Sequence, residues 1–353
     1  MLPALTRPQL MESHNDSHFK AYAMPVVIMP GPRSPANLPD LVRTAFAKAR
    51  SAGDLSYFPT QVTTLLVGTI PLRFSPALAN KPRAPPASPS QKPADPFANP
   101  PPSLHLCPLG PAHYLVLNKF AIVPEHFILA TNEFKPQSHV LEEADLGATL
   151  ACIGAYEGHG HAAGLFAFFN GGEHSGASQP HRHLQMLPVA RMRDGLEEHS
   201  AWNLLADEAD QLQRAPFVAF TETISLNTSP ADLHEKYLKL YRRACRAVAA
   251  QTGLAWDGPE PPAEGEALIS YNLAMTKNTI VVLPRLAEGA AVAERSGEPV
   301  GRLALNGTLL AGTALVKMES EWEALKDDPR GLADALRAIG IPREEFDGKA
   351  QKL

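Results

Sequence analysis

The sequence predicts an α+β protein built around an antiparallel sheet flanked by helices. Residues 113–119 and 127–131 are two apolar runs joined by a turn-like segment, which is typical of paired strands. A stretch with helical spacing follows over residues 142–158, and strand-like segments come next at 163–169 and 181–185. The order strand, strand, helix, strand, strand favours an antiparallel sheet over a doubly wound parallel sheet.

The first patterned part of the chain predicts a helix and then a strand. Residues 40–52 have helical spacing, and Gly53 fits the left-handed residue that often follows a helix. Residues 61–74 are strand-like. We expect residues 1–38 to form an N-terminal tail.

A proline-rich segment interrupts the pattern. The chain holds 34 prolines, and they are concentrated over residues 76–111. Proline lacks the backbone N–H, so this segment cannot hold a regular helix or an inner strand. We predict a solvated, extended loop in preference to a ligand for a proline-recognition domain. Its end, at Asp95, Pro96 and Phe97, can still pack near the functional site.

The most informative stretch joins a small-residue turn to alternating polar side chains. Residues 171–178 are rich in Gly, Ser and Ala, which let backbone N–H groups approach an anion closely. In the strand that follows, His181, His183 and Gln185 share one face, because side chains alternate along a strand. One imidazole can attack phosphorus, the other can position it, and the amide can donate to developing charge. The pattern predicts a phosphate site beside a nucleophile.

Composition excludes several classes of protein. The chain has 353 residues, enough for one large core or two modest ones, and one large core favours a monomer. A net charge of −5 gives no basic field for nucleic acid. Three widely spaced cysteines without a CxxC pair suggest neither a disulfide framework nor a cysteine zinc site, and they fit a reducing compartment. The chain has no run of about 18 apolar residues, which is the length that would predict a membrane span. We expect a cytoplasmic protein, or one that is both cytoplasmic and nuclear.

Histidines allow an alternative interpretation as a metal site. His159, His161 and His174 precede His181 and could complete a zinc site with it. No cysteine spacing supports zinc, so the nucleophile is the interpretation that we favour.

Four separated motifs, in order along the chain, carry a resemblance to a known family. Asn118 precedes a Pro-Glu-His turn, and the strand at 181–185 reads His-x-His-x-Gln. Residues 270–285 and 306–342 supply the later motifs. These motifs resemble the transferase branch of the histidine-triad superfamily, in which Gln185 stands where triad hydrolases have a third histidine. Together they look most like the fungal type of diadenosine tetraphosphate phosphorylase, also called ATP adenylyltransferase.

The resemblance implies a histidine-triad-like fold with a C-terminal extension of the same family. It implies a catalytic region at residues 39–195, which includes the proline-rich loop, and an ATP adenylyltransferase region at residues 210–345 that packs on the same core. It also implies phosphate-dependent cleavage of diadenosine tetraphosphate to ATP and ADP. Small-molecule nucleotides and phosphate are then the partners, with no nucleic acid and no membrane.

The resemblance further implies a role for each site residue. His183 is the expected nucleophile, His181 orients it, and Gln185 donates to a phosphate oxygen. Asn118 matches a ribose-contacting position, although it can instead satisfy the hairpin backbone. Lys277 is a weaker candidate for polyphosphate charge, and it can equally be a solvated lysine at the end of a strand. The remaining candidates for substrate binding are Asn170, Gly172, Ser175, Gly176, Ala177, Ser178 and Gln179. A Mg or Mn cation is expected with the nucleotide, without an organic cofactor or a protein-held metal.

Other functions remain open from the sequence. A dinucleoside polyphosphate hydrolase would use the same scaffold, but Gln185 weighs against it. A hexose-1-phosphate uridylyltransferase is disfavoured by the missing CxxC zinc pair. A nucleotide-binding or metal-binding module without turnover is less consistent with an intact His183.

Overall fold

The secondary structure alternates short strands with helices. A computed structural model describes residues 32–65, 71–75, 95–157, 164–198, 200–253 and 258–344. The strands are β1 (Ser56–Tyr57), β2 (Gln61–Thr64), β3 (Pro71–Phe74), β4 (His105–Leu109), β5 (His113–Leu117), β6 (Phe120–Ala121), β7 (Phe127–Thr131), β8 (Leu165–Gly171), β9 (His183–Pro188), β10 (Phe220–Thr223), β11 (Ser270–Met275), β12 (Thr279–Arg285), β13 (Gly289–Ala293), β14 (Pro299–Ala304) and β15 (Ala314–Val316). The helices are α1 (Leu38–Ala52), α2 (Glu143–Glu157), α3 (Val189–Met192), α4 (Ala209–Arg214), α5 (Pro230–Gln251), α6 (Glu319–Asp327) and α7 (Arg330–Ile339).

An eight-stranded antiparallel sheet forms the centre of the protein. Its order is β10-β12-β11-β8-β9-β7-β5-β4, and each neighbouring pair is antiparallel. The predicted α+β class and the strands at 113–117, 127–131 and 165–169 are confirmed. Strands from both predicted regions of the chain share this sheet, because β10, β11 and β12 extend it beyond β8.

The two faces of the sheet are covered differently. Helices α1, α2 and α5 pack with one face in a single hydrophobic core, and each buried leucine or phenylalanine there adds roughly 1.5–3 kcal/mol of stabilisation. On the other face, a second core with α6, α7 and β13–β15 covers β8, β11 and β12. Over β9, β7 and β5, residues of that same face line a cavity. Strand β9, which carries His183 and Gln185, therefore lies where this covering ends.

The two predicted helices before the catalytic strand are confirmed. α1 ends before Gly53, which has φ 79° and accepts the left-handed conformation that ends a helix. α2 lies within residues 143–157 and is buried around much of its circumference, because it packs between the sheet and α5. None of the helices in the described ranges is both long enough and apolar enough to cross a membrane.

Two sequence predictions need correction. The segment 61–74 is not one strand: β2 and β3 pair antiparallel, with Gln61 opposite Phe74, and β15 pairs with β3. A single strand of this length would exceed the usual strand range of about 3–10 residues. The predicted loop 76–111 also extends too far, because the strand β4 lies within its last part. β4 is an edge strand, a position that tolerates Pro108; residues 76–94 lie outside the described residues.

Candidate active site

His183 is the first residue of β9 and is almost completely buried. The alternation predicted from the sequence is confirmed, since His183 and Gln185 line the cavity whereas Leu184 and Met186 lie in the core on the helical side. His181 comes just before the strand and forms an isolated bridge with Pro136. The two histidines therefore belong to an extended segment that enters the sheet at His183.

A backbone hydrogen bond fixes the tautomer of His183. Its Nδ1 lies 2.8 Å from the main-chain oxygen of His181, so Nδ1 carries the hydrogen and donates it. The Nε2 atom is then left with its lone pair. Burial lowers the pKa of His183 to about 4, and the nearby charge of His181 adds to the lowering. The ring is consequently a neutral imidazole at physiological pH, which is the nucleophilic form.

Gln137 holds the backbone of His183 in place. The ladder between β8 and β9 ends at the pair Phe168 and Gln185. Beyond that pair, the Gln137 Oε1 accepts from the His183 N–H at 2.8 Å, and its Nε2 donates to the main-chain oxygens of His183 (3.1 Å) and Asn170 (2.9 Å). One buried carboxamide thus replaces the strand pairing that is lost where the turn begins. Nothing in the local sequence around Gln137 indicates this role.

His181 is fixed from both sides of its ring. Its Nδ1 lies 2.7 Å from the Asp95 Oδ2, and its Nε2 lies 2.9 Å from the main-chain oxygen of Thr131. The ring of Phe97 packs against the ring of His183 with a centroid distance of 4.9 Å. The end of the proline-rich segment therefore packs at the site, as predicted.

Arg182 fastens the same segment from the helical side of the sheet. Its Nη1 donates to the Asp145 Oδ2 at 2.9 Å, and both side chains are buried. The His113 Nε2 lies 2.8 Å from the other oxygen of Asp145. Burial raises the pKa of Asp145, but the hydrogen bond from His113 and the charge of Arg182 together hold that pKa below its ordinary value. Asp145 is therefore the charged partner of a buried arginine, and removing one partner of such a pair typically costs about 3–5 kcal/mol.

Gln185 is hydrogen-bonded to His126, which the sequence suggests only as a turn residue. Burial lowers the pKa of His126 to about 3, so this ring is neutral. The Nδ2 of Asn118 lies 3.1 Å from the Nδ1 of His126, and the Oδ1 of Asn118 accepts from the Phe120 N–H at 3.0 Å. Asn118 therefore satisfies the hairpin backbone and also lines the cavity beside Gln185.

Two cavities connect at Ser178 and Gln179, in the turn between Gly172 and His181. The first, of about 200 Å³, is lined by His183, Gln185 and Asn118 together with Phe97 and other residues of the 96–104 segment. The second, of about 400 Å³, is lined by the 177–180 part of the turn. Ser178 and Gln179 line both cavities, so these two residues form the connection between them.

Two predicted phosphate ligands are instead committed to building the turn. The Oδ1 of Asn170 accepts from the Asn272 Nδ2 and from the Gly307 N–H, each at 2.9 Å. The hydroxyl of Ser175 donates to the main-chain oxygen of Gly172 at 2.6 Å. Both side chains are buried, and their hydrogen bonds run to the protein interior. The side chains of Asn170 and Ser175 therefore support the turn from within, and their contact with phosphate stays a prediction.

Gly172 and Gly176 have a steric reason to be glycine. Gly172 has φ 84°, and a Cβ atom there would lie 2.6 Å from the Ser270 Oγ. Gly176 has φ 79°, and a Cβ atom there would lie 2.7 Å from the main-chain oxygen of Leu305. The turn is therefore packed closely against the C-terminal part of the chain, which explains both residues by backbone conformation.

Lys277 does not belong to the site. It lies in the turn between β11 and β12 and pairs with Glu157, with 2.8 Å between the Nζ and the Oε2. Neither cavity at the turn is lined by it. Strand β11 carries Lys277 away from the end of the sheet where His183 lies, so its position lends no support to the prediction that it holds polyphosphate charge. Lys119, which the sequence analysis does not single out, is the cationic residue among the described residues that line the first cavity.

The alternative zinc site gains no support from the residues that can be described. His159 and His161 lie outside the described residues. The described part of the chain contains no group of three or more His, Cys, Asp or Glu side chains able to hold a metal ion.

An antiparallel sheet with a His-x-His-x-Gln strand beside a glycine and serine turn defines a histidine-triad-like protein.

Known proteins resemble this chain in both sequence and fold. Residues 31–199 match the Ap4A phosphorylase N-terminal domain, where Ap4A is diadenosine tetraphosphate, and residues 213–342 match the ATP adenylyltransferase C-terminal domain. The chain belongs to the Ap4A phosphorylase family. Diadenosine 5',5'''-P1,P4-tetraphosphate phosphorylase 2 of Saccharomyces cerevisiae is 33% identical over 285 residues, which cover 76% of this chain and 82% of that protein.

Two further relatives cover more of the chain. Protein APA1 of the same yeast is 26% identical over 87% of this chain and 95% of its own length. The crystal structure of yeast Ap4A phosphorylase Apa2 in complex with Ap4A superposes with a TM-score of 0.65 at 27% identity, over 87% of this chain and 98% of that chain. The resemblance drawn from the sequence motifs is confirmed.

Proposed function

We propose that this protein cleaves diadenosine tetraphosphate by phosphorolysis to ATP and ADP, with His183 as the covalent nucleophile. The observation that supports this most directly is the state of His183: it is buried, neutral and held with Nδ1 donating to the main-chain oxygen of His181. Membership of the Ap4A phosphorylase family supplies the substrate. The partners are therefore a dinucleoside polyphosphate, inorganic phosphate, ATP and ADP.

The first step transfers an adenylyl group to the protein. The Nε2 lone pair of His183 attacks the α-phosphorus of one adenosyl half, and the bond from that phosphorus to the bridging oxygen of the next phosphate breaks. The bridging oxygen leaves with the other three phosphates and the second adenosine as ATP. Gln185 donates to a non-bridging oxygen of the reacting phosphorus, because a neutral amide can stabilise charge there without giving up a proton.

The second step returns the protein to its starting state. An oxygen of inorganic phosphate attacks the phosphorus of the adenylyl-histidine, the bond from phosphorus to Nε2 breaks, and ADP leaves. His181 keeps the ring of His183 in the same tautomer through both steps, since its own ring is held by Asp95 and Thr131. The same two steps run in reverse when ATP and ADP are supplied.

Polyphosphate charge requires counter-ions beyond the protein. Lys119 is the cation among the described residues of the first cavity, and the described residues of the second cavity supply none. We propose that Mg²⁺ or Mn²⁺ arrives bound to the phosphates of the substrate, where oxygen ligands suit it.

Product analysis tests the proposed function. The protein is incubated with diadenosine tetraphosphate and Mg²⁺, with and without inorganic phosphate. Phosphate-dependent formation of ATP and ADP in equal amounts is the expected result. Phosphate-independent formation of AMP and ATP would identify a hydrolase instead, and no turnover would point to a uridylyltransferase or a binding module.

A further inference from the structure

Phe134 exposes its aromatic ring next to the catalytic histidines. It is 58% exposed, the largest fraction among the large hydrophobic side chains of the described residues. Its ring lies edge-on to the ring of His181, with a centroid distance of 5.4 Å. An exposed phenyl ring forgoes the stabilisation that burial would give, so its place beside a reactive site is informative.

The cavity in front of this ring is large enough for a nucleoside. Phe134 and Pro136 line the cavity of about 400 Å³, which lies within the usual range of small-molecule sites. Ser178 and Gln179 connect it to the cavity of His183. A substrate that reaches from one cavity to the other must therefore pass over these two residues.

The charge of the second cavity favours a base over a phosphate. Glu173 is the charged residue among the described residues that line it, and none of them is cationic. A phosphate chain placed there would meet a negative side chain without a positive one. A neutral heterocycle can stack on the phenyl ring, and the Glu173 carboxylate can accept from an exocyclic amine such as that of adenine.

We propose that Phe134 is the stacking platform for the second adenine of the substrate, the base that departs with ATP. The reacting half then lies in the cavity of His183, the tetraphosphate crosses Ser178 and Gln179, and the leaving half ends on Phe134. The position of Phe134 supports this: its ring lies 5.4 Å from the ring of His181, and the cavity that it lines shares Ser178 and Gln179 with the cavity of His183. This inference rests on the proposed function, and it assigns a binding site to the second adenine of the substrate.

The test compares Phe134→Ala with the wild-type protein in phosphorolysis of diadenosine tetraphosphate. Loss of base stacking is expected to raise KM about 5- to 150-fold, with kcat unchanged, because the base is stacked in the ground state and the transition state alike. Phe134→Trp keeps an aromatic face and is expected to retain the wild-type KM. Leu226→Ala removes an exposed apolar side chain that lines neither cavity, and it serves as the matched control.

A second ligand separates base stacking from phosphate binding. Adenosine 5'-tetraphosphate has the same four phosphates with one base only, so its inhibition constant should be unchanged in Phe134→Ala. An unchanged KM for diadenosine tetraphosphate in Phe134→Ala would overturn the platform and leave the proposed function intact. A fall in kcat alone would also overturn it, because Phe134 would then act by positioning His181. Absence of phosphate-dependent turnover in the wild-type protein would overturn the proposed function, and the platform with it.

Discussion

The Nδ1 atom of His183 lies 2.8 Å from the main-chain oxygen of His181. This contact assigns the hydrogen of the imidazole to Nδ1 and leaves Nε2 free to act as the nucleophile. The contact depends on the extended backbone between the two histidines. A change that moves this segment therefore alters which nitrogen of His183 is available to attack.

Replacing His183 should abolish turnover and leave the fold in place. In His183→Ala or His183→Gly the attacking nitrogen is gone, and we expect kcat to fall by at least about 10³-fold. Removal of a neutral ring held by one hydrogen bond should still allow folding. Initial rates with diadenosine tetraphosphate and phosphate measure the effect, and circular dichroism provides the control. Full turnover in a folded His183→Ala protein would refute the nucleophile assignment.

Replacing Gln137 should lower both stability and kcat. Gln137→Leu keeps the volume but removes three hydrogen bonds to buried backbone groups, each worth about 0.5–1.5 kcal/mol. We expect a clear fall in the free energy of unfolding, measured in urea, and a fall in kcat larger than any change in KM. Gln137→Glu keeps the acceptor for the His183 N–H and loses both donors, so its defects should also be clear. A Gln137→Leu protein with wild-type kcat would show that Gln137 does not position His183.

The first chemical step should remain active at moderately acidic pH. Because burial lowers the pKa of His183 to about 4, the nucleophile stays neutral well below the ordinary histidine pKa of 6.5. Single-turnover formation of the adenylyl-protein, measured before phosphate is added, should lose rate only near pH 4. Circular dichroism at each pH excludes unfolding as the cause. A loss of rate centred near pH 6.5 would mean that His183 is not held in this buried state.

Stability should fall over the same acidic range. The unfolded chain protonates its histidines below about pH 6.5, whereas folded His183 and His126 stay neutral to about 4 and about 3. The unfolded state therefore binds more protons, and the free energy of unfolding decreases as pH falls from 6.5 towards 4. For His183 the loss between pH 7 and pH 4 is about 3 kcal/mol. Urea unfolding should show a smaller pH dependence in His183→Ala, and an identical dependence would contradict the assignment.

Lys119 and Lys277 form a matched pair of lysines for testing substrate charge. Lys119→Met removes the cation of the first cavity and should raise KM about 5-fold, an effect that weakens at high salt. Lys277→Met removes a lysine that is paired with Glu157 away from both cavities, so its KM should stay within about twofold of the wild-type value. The KM of both variants is measured at two salt concentrations. A larger rise in KM in Lys277→Met than in Lys119→Met would identify Lys277 as a substrate ligand.

The catalytic strand could be predicted from the sequence because its information is local. Alternation along an extended segment places His183 and Gln185 on one face, and the structure has them there. The helices at 38–52 and 143–157 were predictable for the same reason, since spacing and end residues lie within each element.

The contacts that hold the site could not be predicted, because their partners are distant in sequence. Gln137 reaches His183 across 46 residues, and Asp95 reaches His181 across 86. Gln137 belongs to no periodic pattern or local motif, and the expectation that Asp95 packs near the site did not specify its contact with His181. The orientation of Ser175 could not be predicted for a related reason: a serine in a glycine turn can face an anion or its own backbone, and here it donates to the main-chain oxygen of Gly172. The position of Lys277 could not be predicted because a motif gives no position relative to the sheet.

Mass spectrometry of the covalent intermediate tests the central claim most directly. The wild-type protein is mixed with diadenosine tetraphosphate without phosphate, quenched and digested, and the modified residue is identified. We expect one adenylyl group on His183, absent from His183→Ala, and its conversion to ADP when phosphate is added. Phosphorolysis without any adenylyl-protein, or with the group on another residue, would contradict it.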